Sequence, residues 1–191
     1  RLIAADARAA VTARGRFIAA FSGGKTPWLM LRALADQDVP WEGLHLVQVD
    51  ERVAPAQSDD RNLTHLRKSL LDHAPIRAQQ VHIMPVETSD LDAAARSYAQ
   101  ALQKIAGSPA VLDVVHLGLG PDGHTASLTP GDPVLDVTDR DVAPTRAYQG
   151  SRRMTLTYPI LNRARRILWV LTGTEKSDML SRLKKGDPLI P

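Results

Sequence analysis

Short, almost wholly apolar runs alternate along this chain with longer stretches in which apolar residues recur every three or four positions. The runs at 16–21, 44–49, 111–119 and 166–171 predict buried strands. A parallel strand covered on both faces has no polar side to show, so it reads as continuous rather than alternating. The helical spacing predicts helices over 1–13, 63–71, 91–105 and 175–183, and another carrying Trp28, Leu29, Leu31, Leu34 and Ala35. Gly15 closes the first of these, and Ser89 or Asp90 is placed to cap the helix at 91–105. A short strand is expected at 80–84, an alternating one at 153–157 and a single helical turn at 158–163. Between 133 and 148 no period is evident, so a small excursion is expected around 133–157. Strands alternating with helices over most of the length predict an α/β fold, a Rossmann-like and largely parallel sheet flanked by helices, in one domain over 1–191.

Composition narrows the function classes. Of 191 residues 43% are hydrophobic, ordinary for a globular domain, and no run approaches the roughly 18 apolar residues of a membrane span. No membrane partner is expected. Cysteine is absent, which removes disulfides and thiolate chemistry and suits a reducing, cytoplasmic setting. The net charge of +3 comes from scattered cations, and aromatics make up only 4%. That combination fits a small anionic substrate better than a stacking platform for bases, so no nucleic-acid partner is expected. The six histidines are dispersed without metal-ligand spacing, and neither a metal nor another cofactor is expected.

Chemistry gathers just after the strands. The run at 111–119 leads into Gly118-Leu119-Gly120-Pro121-Asp122-Gly123-His124-Thr125-Ala126-Ser127, a sharp turn carrying an acid, an imidazole and hydroxyls. Asp122 and His124 are two apart, so an extended backbone would point both to one side. Gly118, Gly120 and Gly123 also satisfy the dinucleotide pattern G-x-G-x-x-G. That pattern needs a long helix opening at its third glycine, and Pro130-Gly131 leaves no room for one. The strand at 16–21 runs into Ser22-Gly23-Gly24-Lys25-Thr26-Pro27, a glycine turn opening a helix, which suits an anion. The strand at 44–49 ends in Asp50-Glu51-Arg52, charges that read on their own as loop residues. After the strand at 166–171, Lys176 falls in the first turn of a helix, where a cation opposes the helix dipole unless an anion is shared there. In a parallel sheet these four strand ends lie on one edge, the edge where ligands bind.

In these segments the chain resembles the 6-phosphogluconolactonase family, relatives of glucosamine-6-phosphate deaminase and isomerase. The segment at 22–27 is similar to that family's SGGSTP loop. Asp50-Glu51-Arg52 with Pro55 and Asn62 is similar to DERxVP…SN, and 118–131 to GPDGHTASLFPG. Thr155-Leu156-Thr157 and 173–176 are similar to its TLT and TGxxK segments. Lys25 and Arg61 stand where the pattern has Ser, and Thr129 where it has Phe. The family begins one strand earlier and runs further, so this stretch is expected to be incomplete at both termini.

The resemblance implies hydrolysis of 6-phospho-D-glucono-1,5-lactone by water. His124 would be the general base, Asp122 its orienting acid and Arg52 a stabiliser of the carbonyl oxygen. Substrate contacts are expected from Ser22, Gly23, Gly24, Lys25 and Thr26 around the phosphate with Lys176, and from Asp50, Gly120, Gly123 and Ser127. A deaminase of the same superfamily would carry Glu five residues after the histidine, where this chain has Thr129. A non-catalytic sugar-phosphate-binding domain is the other alternative, and it would not need the Asp122/His124 pair.

Overall fold

The fold comes from a computed structural model that describes residues 1–187 and 190–191. Five strands form a parallel sheet: β1 (Phe17–Phe21), β2 (Leu44–Gln48), β4 (Val81–His82), β5 (Val114–Leu117) and β8 (Ile167–Trp169). Their spatial order is β4-β2-β1-β5-β8. Winding starts at β1, goes outward through β2 and β4, then returns to the other side of β1. The switch point therefore lies between the C-terminal ends of β1 and β5.

Both faces of the sheet are covered, which is why the strands lack alternation. Phe17, Ala19 and Phe21 of β1 face a core shared with Leu44, Leu46 and Val114. It is closed by Ile3, Ala4, Ala7 and Ala10 of α1 (Leu2–Arg14) and by Leu31 and Leu34 of α2 (Lys25–Ala35). Ile18 and Ala20 face the opposite core with Val47, Val115 and Leu117. There α4 (Leu91–Ala106) contributes Ala95, Tyr98, Leu102 and Ala106, a stripe at helical spacing. Asp90 caps α4 by accepting from the Ala93 N–H at 2.9 Å. Gly15 ends α1 in the left-handed conformation. No helix among the described residues is long and apolar enough to cross a membrane.

The excursion has more order than its sequence announced. A second, antiparallel sheet runs β3-β7-β6, from β3 (Asp50–Arg52), β7 (Arg153–Leu156) and β6 (Val142–Pro144). Asp50-Glu51-Arg52 is thus a strand and not a loop. Its partner lies a hundred residues downstream, so no local pattern marks it. The chain changes sheets at Val49, whose N–H bonds Phe21 and whose carbonyl accepts from Leu156. Two further expectations shift. The strand after 166 is a half-exposed edge, with Ile167 38% exposed. The last helix, α6 (Ser177–Lys184), begins later than expected, behind a 3-10 turn at Thr174–Lys176 that the left-handed Gly173 starts. Short helices α3 (Asn62–Leu66) and α5 (Tyr158–Asn162) complete the chain, α3 running on into a wider π turn at Arg67–Leu71.

Candidate active site

At the switch point the two sheets enclose a cleft of about 440 Å³. Its floor on the parallel-sheet side is backbone. After β1 the chain runs through Ser22 and Gly23 to Gly24, which opens α2 with φ 120° and offers no capping side chain. The first N–H groups of α2 are therefore left for a ligand. Pro27 sits in that first turn, where its missing N–H costs nothing. The Ser22 hydroxyl donates to the His116 carbonyl at 3.0 Å, pinning the loop to β5. Thr26 and Thr172 share a hydroxyl hydrogen bond of 2.5 Å, which joins the loops after β1 and β8. Lys25 and Lys176 line the cleft beside them.

After β5, Gly120, Pro121 and His124 line the cleft. The His124 Nδ1 lies 2.5 Å from Asp122 Oδ1, and Asp122 Oδ2 accepts from the Tyr148 hydroxyl at 2.8 Å. The pair forms by a tighter route than an extended backbone. Gly123 takes φ 88°, and its N–H closes a turn on the Gly120 carbonyl. Burial by itself would raise the Asp122 carboxyl, but hydrogen bonds from His124 and Tyr148 outweigh it and hold the group below the ordinary carboxylate range. An ionised carboxylate only accepts, so Nδ1 carries a proton, and in the neutral imidazole this leaves the lone pair on Nε2. A Cβ at Gly120 would fall 2.1 Å from His124 Nδ1, so only glycine leaves the ring where it is.

The facing wall is made of side chains from β3 and β7. Asp50 is 4% exposed and accepts from Ser127 Oγ at 2.7 Å and Asn62 Nδ2 at 3.3 Å. Burial pushes its carboxyl up, against Ser127, Arg52 and Arg153. Arg52 and Arg153 are register partners across β3 and β7. Arg52 donates to the Asp60 carbonyl at 2.7 Å, and the buried Nε of each arginine finds no partner among the described residues. Burial, then the like charge of Arg52, lowers the Arg153 guanidinium below its ordinary value. Both arginines line the cleft, and a pair of guanidinium groups suits an anion or a carbonyl oxygen. With Lys25 and Lys176, the cleft presents four cations against Asp50 and Glu175.

Two expected substrate contacts stand behind the cleft instead. Ser127 is fully buried and spends its hydroxyl on Asp50, and Gly123 shapes the turn without lining the space. Arg61 also turns away. It is buried against Glu51 Oε2 at 3.2 Å and Glu87 Oε1 at 2.9 Å. Glu51 accepts in addition from Gln48 and from the N–H groups of Arg52, Asn62 and Leu63, so it locks β3 to α3. Sequence reasoning missed Arg153, Asn62 and Tyr148 as site residues. Arg153 and Asn62 lie in or beside segments of the resemblance, a signal that was present. Tyr148 had none.

Comparison with known proteins places the chain by sequence and fold. Residues 1–191 match the family described as glucosamine-6-phosphate isomerases/6-phosphogluconolactonase. The chain is 37% identical to a 6-phosphogluconolactonase of Synechocystis sp. over 185 residues, 94% of this chain and 77% of that protein. It is 39% identical to one of Mycobacterium tuberculosis over 193 residues, 95% of this chain and 78% of that protein. The crystal structure of 6-phosphogluconolactonase from Thermotoga maritima superposes with a TM-score of 0.89 at 28% identity, covering 98% of this chain and 84% of that one. On sequence and fold together, the chain belongs to the glucosamine-6-phosphate isomerase/6-phosphogluconolactonase family.

Proposed function

We propose that this protein hydrolyses 6-phospho-D-glucono-1,5-lactone to 6-phospho-D-gluconate, a cytoplasmic step of sugar-phosphate metabolism. The observation that carries this is the His124 imidazole, proton-side bonded to Asp122 and bare-side available to a cleft lined by four cations. Nε2 takes a proton from water as its oxygen attacks C1. Negative charge builds on the carbonyl oxygen, which Arg52 and N–H groups of the 118–123 turn stabilise. The C1–O bond then breaks and His124 returns the proton to the ring oxygen. The phosphate rests on the Ser22 to Thr26 loop between Lys25 and Lys176, with Asp50 and Arg153 on the far side of the sugar. The deaminase alternative lacks its second acid, since Thr129 is buried and cannot ionise.

The test is proton release from freshly prepared lactone, with buffer and His124→Ala as controls. The wild type should far exceed buffer, and the variant should lose kcat by roughly 10²–10⁴-fold, as loss of a general base does. A folded wild type no faster than buffer overturns the proposal and moves the search to glucosamine 6-phosphate.

A further inference from the structure

We propose that Tyr148 is a positioning residue of the catalytic pair: it holds Asp122 so that the carboxylate fixes the tautomer of His124. The proposal rests on His124 as the base, and it deepens that reading with a residue outside every segment that carries the family resemblance.

Tyr148 is delivered by a device of its own. It opens a two-residue hairpin between β6 and β7, with reciprocal backbone hydrogen bonds to Ser151 of 3.0 and 3.4 Å. The central residues, Gln149 and Gly150, have φ 52° and 84°. Two positive values are the type I′ signature, whose twist matches a tight antiparallel pair. The turn sets the phenol over the catalytic loop. Its hydroxyl donates to Asp122 Oδ2 at 2.8 Å while Oδ1 faces His124 Nδ1. Its ring meets the His124 ring edge-on at 5.5 Å, and the Arg153 guanidinium lies 5.2 Å from the phenol's centroid.

The carboxylate needs this hold. Asp122 is a third exposed, and its remaining anchors are the His124 ring and a 3.3 Å bond from the His124 backbone N–H. Without the phenol, Oδ2 turns to water and Oδ1 leaves Nδ1 for part of the time. A neutral imidazole whose Nδ1 has no carboxylate places its proton on either nitrogen. Each molecule protonated at Nε2 has no base facing the cleft.

The experiment uses Tyr148→Phe, which keeps the ring and its packing, alone and combined with Asp122→Ala. Nitrogen-15 NMR of the imidazole reports which ring nitrogen carries the proton, and it needs no substrate. The wild type should be almost entirely protonated at Nδ1. Tyr148→Phe should shift it toward the mixture seen in Asp122→Ala, and adding Tyr148→Phe to Asp122→Ala should change nothing. In parallel, Tyr148→Phe should lower lactonase kcat about tenfold with KM within about twofold, and should change kcat by less than about twofold where Asp122 is already alanine. A tautomer unchanged by Tyr148→Phe overturns the proposal, and so does a loss of equal size in both backgrounds, which would mark plain packing. Wild-type lactonase activity judges the proposed function separately, because the tautomer readout does not depend on it.

Discussion

One wall of the cleft is built from backbone and the other from side chains. The backbone wall comes from two contiguous turns after β1 and β5, rich in glycine because the chain must pass close to other groups. Gly23 has no room for a Cβ against Asn62, nor Gly120 against His124. The side-chain wall comes from β3 and β7, where Asp50, Arg52 and Arg153 meet only through antiparallel pairing, with Tyr148 of the hairpin before β7 reaching Asp122 beside it. The first wall provides fixed N–H donors, the hydrogen-bonded Asp122/His124 pair and the cations Lys25 and Lys176. The second provides the other two cations, Arg52 and Arg153, with Asp50 between sheet and α3, and these can be changed one residue at a time without remaking a turn.

If that division holds, the largest effect should come from adding one methyl to the backbone wall. Gly120→Ala puts a Cβ 2.1 Å from His124 Nδ1 and 2.7 Å from Asp122 Oδ1. The ring must move, because the turn beneath it cannot. A displacement of about 1 Å costs on the order of 10²-fold in rate. Steady-state kinetics should therefore show kcat falling by roughly that factor while the unfolding midpoint stays near wild type. Gly118→Ala is the matched control, since a Cβ there meets nothing within 4 Å. Equal kinetics for the two variants would break the account of this wall.

On the other wall the expected effect is smaller and of a different kind. Arg153→Lys keeps the charge but removes the planar fork and its contact with Tyr148. KM should rise about tenfold, with kcat within about threefold. A loss confined to kcat would instead mean that Arg153 acts on the transition state, as proposed for Arg52.

The same division explains what could be seen in the sequence. The parallel sheet and the backbone wall were legible because their signals are local: an apolar run, then glycines, then helical spacing. Asp122 with His124, and the loop from Ser22 to Thr26, were found that way. β3 was not. Its three residues are all charged, and what makes them a strand is pairing with Arg153, Met154 and Thr155. The resemblance implies a substrate contact for Ser127, and only tertiary packing shows its hydroxyl spent on Asp50. Tyr148 is the extreme case. Its meaning depends on a turn type, a register and a partner 26 residues upstream, none of which leaves a trace in the spacing.

The smallest expected effect separates the walls by acid. His116 lies on β5 under the backbone wall, its carbonyl holding Ser22. Its ring is fully buried, neither nitrogen has a partner among the described residues, and burial lowers its pKa to about 4. An unfolded histidine titrates near about 6.5, so as pH falls the unfolded chain takes the proton first. The His116 contribution to stability is intact above about pH 6.5. It is lost between there and about pH 4 at up to about 1.4 kcal/mol per unit, and it changes no further below. Asp50, on the other wall, has the opposite sign: burial raises its pKa, so its contribution is greatest in acid and shrinks as pH rises through the folded value. His116→Phe keeps an aromatic ring beside Phe21 and has nothing to protonate. Urea unfolding at pH 7.5, 6.5 and 5.5 should therefore show the wild type losing stability toward acid faster than the variant. Parallel curves would mean that the other partly buried imidazoles, His45 and His82, whose pKa values burial also lowers, set the acid response. The backbone wall would then owe none of its acid sensitivity to the imidazole beneath it.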